Sequence, residues 1–104
     1  MTNRKNDFET TNIADQIQLG ICLVVATEGF VWVGETTKQD GEWLQITRGR
    51  QVRVWGTSKG LNELVNGPLP ATELDDPAPV VSITMRAVVA VIPCNEPAWS
   101  RQFD

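Results

Sequence analysis

The chain has 104 residues, 9 basic and 13 acidic side chains for a formal charge of −4, and no histidine. That length is one domain's worth of sequence. The missing imidazole excludes Ser-His-Asp and Cys-His nucleophile systems, imidazole general bases and Cys/His zinc sites, while the acidic balance argues against a dedicated duplex-DNA binder.

The opening run MTNRKNDFETTN is polar and mixed in charge, without the basic-then-apolar order of a signal peptide. Residues 1–19 read as an N-terminal arm whose larger apolar groups are Phe8, Ile13, Ile17 and Leu19. Such an arm either stays a loose tail or orders against a partner subunit. Residues 20–104 read as a single β-rich domain. No apolar run approaches the roughly 18 residues of a membrane span, so no membrane association is expected.

From Gly20 the pattern turns to strand. GICLVVAT, residues 20–27, and FVWVGETT, residues 30–37, flank Glu28-Gly29, whose glycine suits a tight hairpin turn. KQDG, residues 38–41, predicts a second turn. It leads into EWLQIT, residues 42–47, where Trp43, Gln45 and Thr47 alternate with Glu42, Leu44 and Ile46. The result is a three-stranded meander. After Arg48-Gly49, QVRVW predicts a fourth strand, with Arg50, Val52 and Val54 on one face and Gln51, Arg53 and Trp55 on the other.

GTSKG, residues 56–60, breaks that strand. Thr57 or Ser58 suits the N-cap of a short helix through Leu61, Leu64 and Val65, which Asn66-Gly67-Pro68 would stop. PLPATELDDPAP, residues 68–79, reads as an extended surface loop. Residues 80–84 and 87–93 predict the last strands, the second β-branched enough to be central. In the ending CNEPAWSRQFD, Asn95 suits a cap and Pro97 a first turn, with Trp99 and Phe103 an i,i+4 pair. The fold expected is mainly β, a small bent antiparallel sheet or partly open barrel of five to six strands with one short helix.

The charge is unevenly spread. Residues 48–61 carry +4 and no acid, whereas residues 62–79 carry −4. Arg48, Arg50, Arg53, Trp55, Thr57, Ser58 and Lys59 therefore form the candidate anion-binding window. Guanidinium groups, an indole, hydroxyls and free backbone N–H groups all suit a phosphate or nucleotide. The spacing is not that of a Walker P-loop. The plainer alternative is that Thr57 and Ser58 cap the helix and Lys59 is solvated. An inward Arg50 needs a partner, and Glu35, Glu42 or an acid of another subunit are the candidates.

Of the four tryptophans, most are expected in the core and one or two at a ligand surface or interface. Glu73, Asp75 and Asp76 lack cation-loop spacing and read as solvated, so no metal is expected. Cys22 and Cys94 read as buried thiols that bridge only if their strands adjoin. No cofactor motif and no paired carboxylates stand out, so a non-enzyme is expected. A chain this short does not easily enclose a deep cavity, and a sizeable pocket is expected between subunits of a homo-oligomer.

The segments VVATEGFVWVGE, RGRQVRVWGTSKG, LNELVNGP and VVSITMRAVVAVIPCNEPAW, in this order, resemble a family of small uncharacterised proteins encoded by tailed phages and prophages. Arg50, Trp55, Lys59, Gly60, Leu64, Gly67, Pro68 and Trp99 carry the likeness. Arg53 and Val54 depart from it, standing where an apolar residue and a tyrosine are usual. The resemblance implies a compact β fold and a phage context; with two cysteines making no disulfide scaffold, the expected location is the reducing host cytoplasm, or the virion if the second function below holds. Two functions are then expected as alternatives. One is a homo-oligomeric capture protein for an anionic small molecule or nucleotide. The other is a virion or assembly component that docks onto other phage structural proteins through its arm and edge strands.

Overall fold

The computed structural model describes residues 16–40 and 42–103. The expectations placed on Phe8, Ile13 and Gly41 lie outside that range. Six strands form one antiparallel sheet: β1 (Ile17–Ala26), β2 (Val31–Gln39), β3 (Trp43–Val54), β4 (Glu73–Leu74), β5 (Val80–Thr84) and β6 (Val88–Pro93). Their lateral order is β4-β3-β2-β1-β6, and β5 pairs with the first half of β3. The mainly β fold and the β1-β2-β3 meander stand as expected.

Four local expectations change. The run from Trp43 to Val54 is one strand, so Arg48-Gly49 makes no turn. Gly34 of β2 faces both Arg48 and Gly49, because Val33 pairs with Arg50 and Glu35 with Thr47. This is a β-bulge, with Arg48 in the left-handed region at φ 54. The β-branched strand expected to be central, β6, lies at the edge and pairs only with β1 among the described strands. The proline-rich loop contains the two-residue β4, which pairs with Val52 and Val54. Leu61–Asn66 is a 3-10 turn capped at Gly60, with no side-chain bond from Thr57 or Ser58. Its stop is as expected: Gly67, at φ 110, donates its N–H to the Leu64 carbonyl.

The bulge decides which way side chains point. One extra residue in a period-two chain exchanges the faces of everything beyond it. Leu44 and Ile46 therefore pack with Cys22 and Val24 on one face, while Val52 joins Leu23, Val31 and Val33 on the other. A second irregularity, between Val52 and Val54, leaves Val54 exposed rather than on the buried face with Val52. At the bulge the backbones of Gly34 and Gly49 approach closely. A Cβ on Gly34 would lie 2.5 Å from Ile46 Cγ2 and 3.0 Å from Gly49 Cα, so the close approach needs glycine.

The sheet is strongly coiled for a reason that chain length dictates. Thr84 lies opposite Trp43, beside the β2–β3 connection, whereas Val88 lies by Ala26, beside the β1–β2 turn at the far end. Only Met85–Ala87 joins them. Four Cα steps reach about 15 Å at most. Four strand spacings in a flat sheet already need about 19 Å before any displacement along the strands is added. The sheet must curl so that the end of β5 meets the β1–β2 turn.

Coiling creates two cores. The concave side holds Cys22, Val24, Leu44 and Ile46, closed by Trp32, Val81, Ile83 and Val88. The convex side holds Ile21, Leu23, Val31, Val33 and Val52. It is covered by Leu64 of the 3-10 turn and by Trp99 and Phe103 of the C-terminal segment. That segment is α1 (Glu96–Trp99) followed by a 3-10 turn, Ser100–Phe103. Asn95 sits at the N-cap position with Pro97 in the first turn, as expected, though Asn95 makes no side-chain cap bond. Only Trp99 of the four tryptophans is fully buried; Trp32 is half-buried, and Trp43 and Trp55 are exposed. More indole reaches solvent than composition suggested.

Cys22 and Cys94 are free thiols. Their strands adjoin, since Cys22 pairs with Pro93, yet the two sulfurs serve opposite cores. Burial pushes the Cys94 thiol up to about 11 and raises that of Cys22 as well. A raised thiol pKa favours the protonated folded state. The stability it confers is complete below the ordinary value of 9.0 and is lost as pH rises towards 11. Alkylation of Cys94 in the folded chain at pH 8 should run about a hundredfold slower than after unfolding, from thiolate fraction alone. Equal rates in native buffer and in urea would contradict this placement.

Candidate functional site

The basic window enters the sheet at the bulge. Arg48, turned by its left-handed backbone, donates from Nη1 to the Phe103 carbonyl at 3.2 Å. Arg50 is half-buried and divides its guanidinium between two carbonyls, Nε to Asp75 at 2.6 Å and Nη1 to Gln102 at 2.7 Å. The last carbonyls of a helical turn lack intrahelical donors, so cationic donors are well placed there. The partner expected for Arg50 among Glu35, Glu42 or a neighbouring subunit is thus replaced by main-chain oxygen of the same chain. Both arginines fasten the C-terminal turn to the sheet.

The rest of the window divides. Arg53 Nε lies 3.3 Å from Asp75 Oδ1 in a solvent-facing pair. Among the described residues no cation–π stack forms with Trp55. The Trp55 carbonyl accepts the Thr72 hydroxyl at 2.6 Å, and the indole remains 41% exposed. Thr57 is half-buried. The backbone N–H groups of Ser58 and Lys59 are both taken by the Glu63 carboxylate, which reaches back from the 3-10 turn. A shallow hollow of about 220 Å³ remains between Lys59 and Glu63. An acid of the chain thus sits where the sequence suggested a phosphate. Of the seven candidate residues, Arg48, Arg53, Trp55, Ser58 and Lys59 are exposed, Arg50 and Thr57 are half-buried, and the guanidinium groups of Arg48 and Arg50 are engaged by carbonyls of the C-terminal turn.

A second site was not anticipated. Under the β1–β2 turn, where the coil brings Ile83 and Ala87 against the hairpin, lies an open recess of about 350 Å³. Ala26, Thr27, Glu28, Phe30 and Trp32 complete its lining. All seven lining residues come from the one chain. The turn is clipped by a 2.7 Å bond from the Ala26 N–H to the Phe30 carbonyl, and Glu28 is held at φ 65. Phe30 stays half-exposed. Its sequence signal was the pair of aromatic residues two apart after a turn, which places Phe30 and Trp32 on one strand face. Nothing local announces Ile83 and Ala87 as the other wall.

Residues 20–101 match the family model of a domain of unknown function, DUF6948. The chain belongs to this family. No curated protein and no solved structure matches it. The match runs from Gly20 within β1 to Arg101 within the last turn and takes in Arg48, Arg50 and the whole recess, stopping just before the Gln102 and Phe103 carbonyls that the two arginines bind. Among the described residues no three metal-ligating side chains cluster.

Proposed function

We propose that this DUF6948 domain is a non-enzymatic binding module and that its ligand occupies the recess beneath the β1–β2 turn. The observation that supports this reading is Phe30, half-exposed over a 350 Å³ hollow that it shares with Trp32. Ligand sites are typically concave, mostly apolar and supplied with a few polar groups, and at this volume a small molecule or one side chain fits. Titration with indole as an apolar probe should shift the amide signals of Phe30, Trp32, Ile83 and Ala87. Ile83→Trp, which fills the hollow, should abolish the shifts. Indole shifts scattered over the surface, or unchanged in Ile83→Trp, would remove this reading.

A second reading places an anionic small molecule or nucleotide at Arg53, Trp55 and Lys59, supported by the exposure of the Trp55 ring beside two cations in sequence. In that case cyclic or linear nucleotides shift Trp55 and Lys59 and leave Phe30 untouched. Homo-oligomerisation, a phage origin and a virion role through the arm and the edge strands belong to the same set of proposals. Native mass and the protein content of purified particles test them.

A further inference from the structure

The lining of the recess narrows its ligand to one chemical class. The only formally charged side chain in it is the Glu28 carboxylate, and no lysine or arginine is among the lining residues. Arg86 is the chain neighbour of Ala87 and is not part of the wall. Two aromatic residues, Phe30 and Trp32, are in the lining, and the remainder is Ala26, Thr27, Ile83 and Ala87. An anion entering here would meet a like charge. A neutral apolar group gains contact with the rings but nothing from the carboxylate. A cation is drawn both to the carboxylate and to the negative faces of the rings, within a chain whose net charge of −4 favours its approach.

The kind of cation follows from hydrogen bonding. A primary ammonium brings three strongly hydrated donors, and the wall presents only the carboxylate and the Thr27 hydroxyl as side-chain acceptors. An alkylated ammonium has few or no N–H groups to satisfy and carries its charge on methyl groups that pack against aromatic rings. The clip from the Ala26 N–H to the Phe30 carbonyl holds acid and ring on one short turn. The backbone that carries Glu28 and Phe30 is therefore fixed before any ligand arrives. Resting on the reading of the recess as the binding site, we infer that the recess accepts a small organic cation with a quaternary or alkylated ammonium head.

The test uses the full chain and a pair of isosteres. Choline and its neutral carbon analogue 3,3-dimethylbutan-1-ol share shape and hydroxyl and differ in charge. Choline should shift the amides of residues 27–32 and 83–87 and bind about tenfold more tightly than the alcohol at low salt. In Glu28→Gln the preference should shrink severalfold, with only the rings left to favour the cation, and the remaining amide spectrum should be unchanged as proof of folding. Equal binding of the two probes to the wild type would overturn the inference and leave the recess reading in place. Failure of both to shift those amides would overturn the inference, and with unchanged indole spectra would overturn the recess reading too. Choline binding that Glu28→Gln does not weaken would also overturn it.

Discussion

Trp99→Ala is expected to lower the stability of the domain by about 3–5 kcal/mol, the usual cost of truncating a fully buried tryptophan. Three contacts act together there. The indole has no solvent exposure and packs in the convex core with Leu64 and Phe103. Its Nε1–H donates to the Leu64 carbonyl at 2.7 Å, tying α1 to the 3-10 turn that covers the sheet. Its ring stacks on Phe103 with centroids 6.3 Å apart. Set against the 5–15 kcal/mol that typically holds a small domain together, such a loss is a large share of the total. Urea unfolding followed by circular dichroism should show the midpoint falling steeply with the slope retained. Trp99→Phe keeps much of the buried area and loses the N–H, so it should fall between the two. An alanine variant with the wild-type midpoint would mean that the C-terminal segment does not cover the core.

The second large effect is predicted at Arg50. Removing its guanidinium in Arg50→Met leaves the Asp75 and Gln102 carbonyls without their charged donors, and hydrogen bonds to charged groups contribute about 1.5–3 kcal/mol each. A loss of about 3 kcal/mol is expected. Arg50→Lys should recover little of it, because one ammonium cannot serve two carbonyls from the fixed positions of Nε and Nη1. The outcome separates two roles. If Arg50 were a clamp for an outside anion, Arg50→Met would unfold at the wild-type urea concentration and lose only nucleotide binding. If it anchors the C-terminal turn, as the bonds indicate, stability falls with no ligand present.

These two residues show how differently legible the chain was. The Trp99/Phe103 pair is visible at i,i+4 after a proline in the first turn, because helical spacing and capping chemistry act over a few residues. The hairpin at Glu28-Gly29 and the stop at Gly67 were readable for the same reason. Arg50 was recognisably an inward arginine in need of a partner, yet its partners lie on the acidic loop and the C-terminal turn. Main-chain carbonyls have no residue identity in the sequence. Thr57 and Ser58 illustrate the opposite error. Both are good cap formers by type, but Glu63 reaches their segment first with a charged acceptor.

By itself the sequence determined what local chemistry determines: a histidine-free, mainly β domain, its meander, most strand positions, and the clustering of basic charge beside acidic charge. Tertiary structure alone decided what those charges do. The bulge opposite Gly34 exchanges the faces of β3, sending Arg50 inward beside Val52 to meet the C-terminal turn. The short link Met85–Ala87 forces the sheet to coil, and coiling sets Ile83 and Ala87 against Phe30 and Trp32 to form the recess. Both depend on where distant strands lie, which a period of two along one strand cannot specify.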